Sequence, residues 1–248
     1  MTRWSGIAIG LGAYILALIA MTPATLVDAS LQRASNGRVR LAEAQGTLWS
    51  GSGQIEVRDA GGRSGVAKSL AWHAVPQSLL RAHLVFEVDL DQSARPFPVT
   101  LALSRIELAN ADISLPATVL GLGVPKLAPL GLSGEVLIHV PNLSFARAGM
   151  QGNATLQWHD AGSALTPVSP LGNYEIRVDG EGATGHAYLR TIEGPLWFDG
   201  KGSWTQGANP DFLVMARVSP EYQKQLIPLL RLIAVEREEG RFEVQLNQ

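Results

Sequence analysis

The stretch Gly131-Leu-Ser-Gly-Glu-Val-Leu-Ile-His-Val140 decides the fold class of this chain. Its apolar side chains recur at every second position, from Val136 through Ile138 to Val140. This period of two is typical of a β-strand with one buried and one wetter face, as antiparallel sheets have. The same alternation marks four further segments, at residues 84–90, 154–158, 174–178 and 242–246. The chain is therefore predicted to be mainly β, with a mostly antiparallel sheet of about a dozen strands.

A glycine-spaced turn that leads into an alternating strand recurs along the chain. The first copy is Gly46-Thr-Leu-Trp-Ser-Gly51, and related copies begin at Gly131, Gly149 and Gly194. Glycines leave gaps for large aromatic neighbours and ease the bending of strands. The repeat therefore predicts a curved sheet that is built from similar hairpins.

Helix signals are few and short. Residues 24–34 fit a short amphipathic helix, and residues 114–121 could hold one or two turns. Ser219 followed by Pro220 is a good helix start, because Ser is a favoured N-cap and Pro suits the first helical position. We expect Pro228 to break or kink that helix, since proline lacks the backbone donor that a helix interior needs.

Twenty-four residues without a charge lie near the N-terminus, between Arg3 and Asp28. About 20 helical residues cross a bilayer core that is about 30 Å thick. Residues 5–22 are therefore predicted to form a single transmembrane helix in contact with the lipid bilayer.

The charges that flank this segment predict its orientation. Arg3 and the free amine favour a cytoplasmic N-terminus. We expect residues 1–27 to be a cytoplasmic stub and anchor, and residues 28–248 to be a β-rich domain in the periplasm of a bacterium with an inner membrane. A cleaved signal peptide is the competing interpretation, because residues 22–24 could form a small-residue cleavage site. The apolar stretch that continues to Val27 favours the uncleaved anchor.

Composition excludes several classes of function. The chain has no cysteine, which excludes disulfide scaffolds, cysteine nucleophiles and Cys-ligated zinc. Its formal net charge of −2 argues against a nucleic-acid partner, which would require a concentrated basic surface.

No catalytic, cofactor-binding or metal-ligating residue is predicted, and no cofactor is expected. The five histidines lie far apart in sequence, and no H-E-x-x-H motif occurs. Residues 180–185 match the dinucleotide pattern G-x-G-x-x-G, but the residues that follow alternate like a strand and do not open a helix. We interpret them as a hairpin whose tip begins at Asp179 and Gly180.

An acidic row is one candidate contact surface. Glu87, Asp89 and Asp91 alternate along a predicted strand. They form either a solvated strand face or a surface that steers a basic partner. A calcium loop of the EF-hand type is excluded, because its central glycine and terminal glutamate are absent.

Four tryptophans are the other candidates for contact with a partner or a lipid. In alternating strands tryptophan most often packs in the core, but the same side chains could line an apolar groove for a lipid ligand if the sheet is curved and open. The residues are Trp49, Trp72, Trp197 and Trp204.

Taken in order, several short motifs resemble the type II secretion system protein N family. The resemblance covers essentially the whole chain and rests on the order and spacing of the motifs. They are residues 46–51 after the anchor, then Leu70-Ala-Trp72 with Pro76 and Leu79-Leu80, then Ser169-Pro-Leu-Gly172 with Tyr174, then Gly194-Pro-Leu and Gly200-Lys-Gly-Ser-Trp204.

This resemblance implies a single-pass inner-membrane protein with a periplasmic β domain. Such a protein would be a non-enzymatic accessory part of the machine that exports folded proteins across the outer membrane. Its partners would be other secretion components, either the inner-membrane platform or the secretin.

A second resemblance gives the alternative function. The tryptophan, proline and leucines between Trp72 and Leu80 are also similar to segments of AsmA-type envelope proteins, which bind lipid in a β groove. Those proteins tend to place a glycine where this chain has Arg81 and Ala82, which weakens the resemblance.

Overall fold

A computed structural model of the chain describes residues 10–14, 17–58, 64–91, 95–123, 125–209, 211–238 and 241–245. These residues form two compact units. The first contains the described residues of 1–77 and 85–96, and the second contains those of 78–84 and 97–248. Both units are mainly β, and neighbouring strands within each run antiparallel, as the alternation predicts.

The first unit contains a meander of four strands, and a helix packs against it. Each strand pairs with the next. The predicted helix over residues 24–34 is confirmed, and its Val27 and Leu31 pack against a core of Ala24, Leu41 and Trp72. In chain order the elements are α1 (Thr25–Ala34), β1 (Val39–Gly46), β2 (Ser50–Arg58), β3 (Ser64–Val75) and β4 (Leu84–Leu90).

Glycines in this unit make room for large side chains, as the sequence predicts. Gly51 on β2 pairs with Trp72 on β3. A Cβ atom at Gly51 would lie 2.5 Å from Cζ2 of the Trp72 ring, and one at Gly53 would lie 2.9 Å from Cδ1 of Leu41. Both large side chains therefore pack directly on the backbone of β2, where no larger residue fits.

The second unit contains ten strands. They follow one another in chain order across the sheet, except that β14 lies between β12 and β13. Short 3₁₀ helices at Pro125–Leu130 and Pro220–Tyr222 precede β7 and α3. The elements are β5 (Phe97–Leu101), β6 (Arg105–Pro116), α2 (Thr118–Gly123), β7 (Leu132–Ala146), β8 (Gly149–Ser163), β9 (Gly172–Gly182), β10 (Thr184–Glu193), β11 (Leu196–Thr205), β12 (Asp211–Val218), α3 (Gln223–Ile233), β13 (Val235–Glu238) and β14 (Arg241–Gln245).

The core of the second unit lies on one face of its sheet. On β7, Val136 and Val140 are buried and Ile138 is half-buried, whereas the residues between them are exposed. The alternation that was predicted from the sequence is therefore confirmed. Helix α3 covers this face with three buried leucines, which belong to the same cluster as Val136 and Phe242. They are Leu226, Leu229 and Leu230.

Of the two effects expected at Pro228, the break is wrong, because α3 continues through that residue to Ile233. A kink there stays a prediction. Proline in a helix interior costs about 3 kcal/mol relative to alanine. Burial of a leucine side chain contributes about 2 kcal/mol, and Leu226 and Leu230 are fully buried on either side of Pro228. Packing against the sheet thus outweighs the local preference.

The predicted transmembrane helix is not confirmed. Residues 10–14 and 17–20 are helical, whereas residues 1–9, 15 and 16 of the predicted anchor lie outside the described part of the chain. Among the described residues, no helix combines the length and the apolar character that crossing a membrane requires. The span over residues 5–22 and the curvature of the sheet both stay predictions.

Candidate functional site

The loop between β1 and β2 holds the residues that precede α1. The backbone N–H of Leu48 donates to the carbonyl oxygen of Thr22 at 2.8 Å. The indole Nε1 of Trp49 donates to the carbonyl oxygen of Ile19, also at 2.8 Å. These bonds attach the end of the apolar N-terminal segment to the first unit. We call this arrangement the clasp; it comprises residues 19–24 and 46–49.

The sequence of the loop explains how the clasp forms. Gly46 has φ +87°, and a Cβ atom there would lie 2.5 Å from the carbonyl oxygen of Ser50, so glycine is required. The Thr47 hydroxyl accepts hydrogen bonds from the backbone N–H groups of Trp49 and Ser50 at 3.3 and 3.2 Å. The Gly46 carbonyl in turn accepts a bond from the N–H of Ala24 at 3.2 Å. The motif that carries the family resemblance therefore has a defined structural role.

A carboxylate on α1 provides a second attachment. Oδ1 of Asp28 accepts a hydrogen bond from the backbone N–H of Leu41 at 2.8 Å, and Oδ2 accepts one from Gln32 at 2.7 Å. Partial burial raises the pKa of Asp28, but these two bonds and the guanidinium groups of Arg40 and Arg58 outweigh it, so the pKa lies below its ordinary value. The charged form of Asp28 thus stabilises the packing of α1 on β1.

Two side chains of the predicted acidic row lie beside basic side chains of β3. Glu87 lies 3.1 Å from His73, and Asp91 lies 2.5 Å from Lys68. Oδ1 of Asp89 is buried and has no hydrogen-bond partner among the described residues. The row therefore carries less free negative charge than its sequence suggests.

The four candidate tryptophans occupy different environments. Trp49 belongs to the clasp, and Trp72 is 7 % exposed in the core of the first unit. Trp197 and Trp204 lie seven positions apart on β11, so they face opposite sides of the sheet. Trp197 is 48 % exposed, whereas Trp204 packs over Gly185 of β10. The structure does not bring the four together in one groove.

An ion network around one buried carboxylate lies on the other face of the sheet from the core, and it was not predicted from the sequence. Glu175 is 5 % exposed and lies 2.7 Å from Arg190 and 3.1 Å from Arg177. Burial raises its pKa, but the hydrogen bond from Gln157 and the two guanidinium groups outweigh that effect, so the pKa is lowered overall. Arg177 follows Glu175 by two positions, which is a visible signal, but the contribution of Arg190 depends on the pairing of β9 with β10.

One histidine–carboxylate pair invites comparison with a catalytic site. Nδ1 of His139 lies 2.5 Å from Oδ1 of Asp112, and both side chains are more than half exposed. The hydroxyl of Ser114 donates to Glu135 at 2.5 Å and so does not face His139. The pair therefore lacks the contact with that hydroxyl which nucleophilic catalysis needs. Within the described ranges, no group of three or more His, Cys, Asp or Glu side chains is placed to hold a metal ion.

The G-x-G-x-x-G segment is a β-hairpin, as predicted, but its tip lies farther along the chain. Glu181 pairs with Thr184, so the chain turns at Gly182, the last residue of β9, and Ala183. Gly182 has φ +78°, a conformation that favours glycine. Gly180, the expected tip, remains within β9. No helix follows that could hold a pyrophosphate.

Comparison with known proteins gives one match. The family described as Type II secretion system (T2SS), protein N matches residues 37–245. No curated protein and no solved structure shows significant similarity to the chain. The matched range contains the loop of the clasp, strands β1 to β14 and α3. Because this match spans most of the sequence, the chain belongs to the type II secretion system protein N family.

Proposed function

We propose that this protein is a non-enzymatic accessory component of the type II secretion system. Residues 5–22 hold it in the bacterial inner membrane, and its β-rich part docks in the periplasm on other secretion components, either the inner-membrane platform or the secretin. Family membership over residues 37–245 is the observation that carries this proposal.

Exposed apolar side chains in the N-terminal segment support the anchor. Leu11, Tyr14, Leu18 and Met21 are between 54 and 76 % exposed. Removing apolar surface from water stabilises by about 25 cal/mol per Å². A bilayer would cover these side chains and remove that surface from water.

The clasp favours an uncleaved anchor rather than a cleaved signal peptide. Ala24 is 1 % exposed in the core of the first unit, and Ile19 and Thr22 are bonded to the loop of the clasp. Cleavage after Ala24 would remove all three. N-terminal sequencing of the mature protein tests this point: we expect the full N-terminus, and a start near Thr25 would contradict it.

The lipid-groove alternative gains no support from the tryptophans. It needs their rings on one apolar surface, yet Trp197 and Trp204 lie on opposite faces of β11. We therefore propose docking on protein partners as the role of the β-rich part.

A secretion assay tests the function and the anchor together. In a strain that lacks this protein, we expect a type II substrate to accumulate in the periplasm and the full chain to restore its release. A Leu11→Arg/Leu18→Arg variant should fail, because charged side chains oppose insertion into the bilayer. The matched Leu11→Val/Leu18→Val variant should restore release. Equal secretion in all four strains would overturn the proposal.

A further inference from the structure

Three cross-strand rows on the polar face of β9–β12 bring cations and large apolar side chains together. Strand pairing places Lys201 between Tyr188 and Leu213, and it places Trp197 beside Arg217. Directly opposed side chains in such pairs lie about 5 Å apart. The rows therefore form one surface, which we call the basic–aromatic patch. It consists of Tyr188, Arg190, Trp197, Lys201, Leu213 and Arg217.

The apolar members of the patch are about half exposed. Tyr188, Trp197 and Leu213 are 50, 48 and 44 % exposed. These three side chains lie on the face of the sheet opposite to the core, so they are not core residues that are exposed at its margin. Tyrosine, tryptophan and arginine are enriched at protein–protein interfaces, and they often contribute most to the binding free energy.

The charges of the patch are positive and partly unpaired. The ion pair with Glu175 fixes the orientation of the Arg190 side chain. Lys201 and Arg217 form no ion pair with any side chain in the described part of the chain. The patch itself contains three cations and no carboxylate, whereas the whole chain has a net charge of −2. Carboxylates border it on the same face of the sheet, among them Glu175, Asp199 and Asp211. The unpaired positive charge of the patch is thus concentrated at Lys201 and Arg217.

We propose that the basic–aromatic patch docks a protein segment in which acidic side chains are interleaved with apolar ones. The proposal rests on the proposed function and names a surface and a partner chemistry for it. Carboxylates of the partner pair with Lys201 and Arg217, and its apolar side chains cover Trp197, Tyr188 and Leu213. Charge complementarity selects the partner, and burial of the apolar side chains adds affinity.

Site-specific photo-crosslinking in cells tests this surface. A benzophenone amino acid replaces Leu213 in the full chain at native expression. We expect an adduct with a secretion subunit, linked through a segment that contains Asp or Glu. Lys201→Glu/Arg217→Glu should reduce that adduct by about tenfold, because reversed charges repel the partner. The matched control Arg147→Glu/Lys224→Glu changes exposed cations outside the patch and should leave the adduct unchanged.

Further measurements distinguish a failure of the patch proposal from a failure of the proposed function. Equal membrane levels and equal melting temperatures of the two double variants exclude misfolding as the cause. Changing the linked acidic residues of the partner to lysine should restore the adduct of the Lys201→Glu/Arg217→Glu variant. A benzophenone at Leu165, which is 49 % exposed outside the patch, serves as a second probe position.

Three outcomes would overturn the proposal that the patch docks an acidic protein segment. They are an adduct that is insensitive to the charge reversal, an adduct with lipid or with a second copy of this chain, and a link to a segment without acidic residues. If Leu165 yields secretion-subunit adducts while Leu213 yields none, the patch is wrong but the proposed function stands.

Discussion

The indole Nε1 of Trp49 donates a hydrogen bond to the carbonyl oxygen of Ile19 at 2.8 Å. This bond joins a β-hairpin loop to the last residues of the apolar N-terminal segment. If residues 5–22 cross the bilayer as we propose, Trp49 lies where the chain leaves the membrane, a level at which tryptophan is favoured. The clasp then fixes the first unit to the end of its anchor.

Removing the indole donor should loosen the clasp. Trp49→Phe keeps most of the ring but loses the bond to Ile19, at a cost of about 1 kcal/mol. We expect faster amide hydrogen exchange in a peptide that covers residues 20–26, measured by mass spectrometry on the detergent-solubilised full chain. Trp197→Phe is the control, because Trp197 is exposed and lies outside the clasp. Exchange that is equally slow in both variants would show that the bond contributes nothing.

Substituting the glycines beneath the core of the first unit should destabilise it. A Cβ atom at Gly51 would lie 2.5 Å from Gln45 O and from the Trp72 ring, and one at Gly53 would lie 2.9 Å from Ala42 O. We expect Gly51→Val and Gly53→Val each to lower the free energy of unfolding by about 1–3 kcal/mol, without loss of membrane insertion.

The matched control for these variants is Gly12→Val. No atom lies within 4 Å of a Cβ built at Gly12, so valine meets no clash there. Denaturant unfolding and membrane fractionation measure the two effects. Unchanged stability of both core variants would refute the close packing of Trp72 and Leu41 on β2.

Acid should weaken the attachment of α1 through Asp28. Its pKa is below the ordinary value in the folded protein, so the carboxylate contributes stability above the unfolded pKa of about 3.9. That stability is lost as the pH falls through the lower pKa of the folded state. We expect Asp28→Asn to be less stable than the wild type by about 1–2 kcal/mol at pH 7, with the difference shrinking as the pH falls below the unfolded pKa. A difference that does not vary with pH in denaturant titrations would exclude this role for the charge.

Replacing the proline inside α3 should stabilise the second unit. Pro228→Ala provides a backbone donor where α3 has none and improves the helix propensity by about 3 kcal/mol, offset by up to about 1 kcal/mol through a more flexible unfolded state. Looser packing around the smaller alanine side chain lowers this stabilisation further, so we expect a net gain of about 1–2 kcal/mol in the free energy of unfolding. Gln225→Ala, at an exposed position of the same helix, should change it by less than about 0.5 kcal/mol. A loss of stability in Pro228→Ala would mean that the proline fits α3 better than alanine does.

Local periodicity predicted the strands because it reports directly on burial. The alternation around Val136 appears in β7 as predicted, and the glycines at 51 and 53 accommodate Trp72 and Leu41. The break predicted at Pro228 does not occur because the leucines that outweigh the proline pack against strands far away along the chain. Helix propensity takes no account of such tertiary contacts.

The candidate contacts were harder to predict, because they depend on strand register. The acidic residues Glu87 and Asp91 meet His73 and Lys68 only when β3 and β4 are aligned. The ion pair between Glu175 and Arg190 joins residues 15 positions apart in the sequence, and no pattern within one strand reveals it. Residue types and alternation identify a polar face, but pairing decides which charges on it are left free.

Affinity isolation at native expression tests the central claim most directly. Membranes are extracted in mild detergent, the tagged full chain is purified, and the co-purified proteins are quantified against an untagged strain. Membership of the secretion assembly predicts clear enrichment of inner-membrane platform or secretin subunits, and it predicts that the Leu11→Arg/Leu18→Arg variant loses them. A clean preparation that contains no secretion subunit would contradict the account.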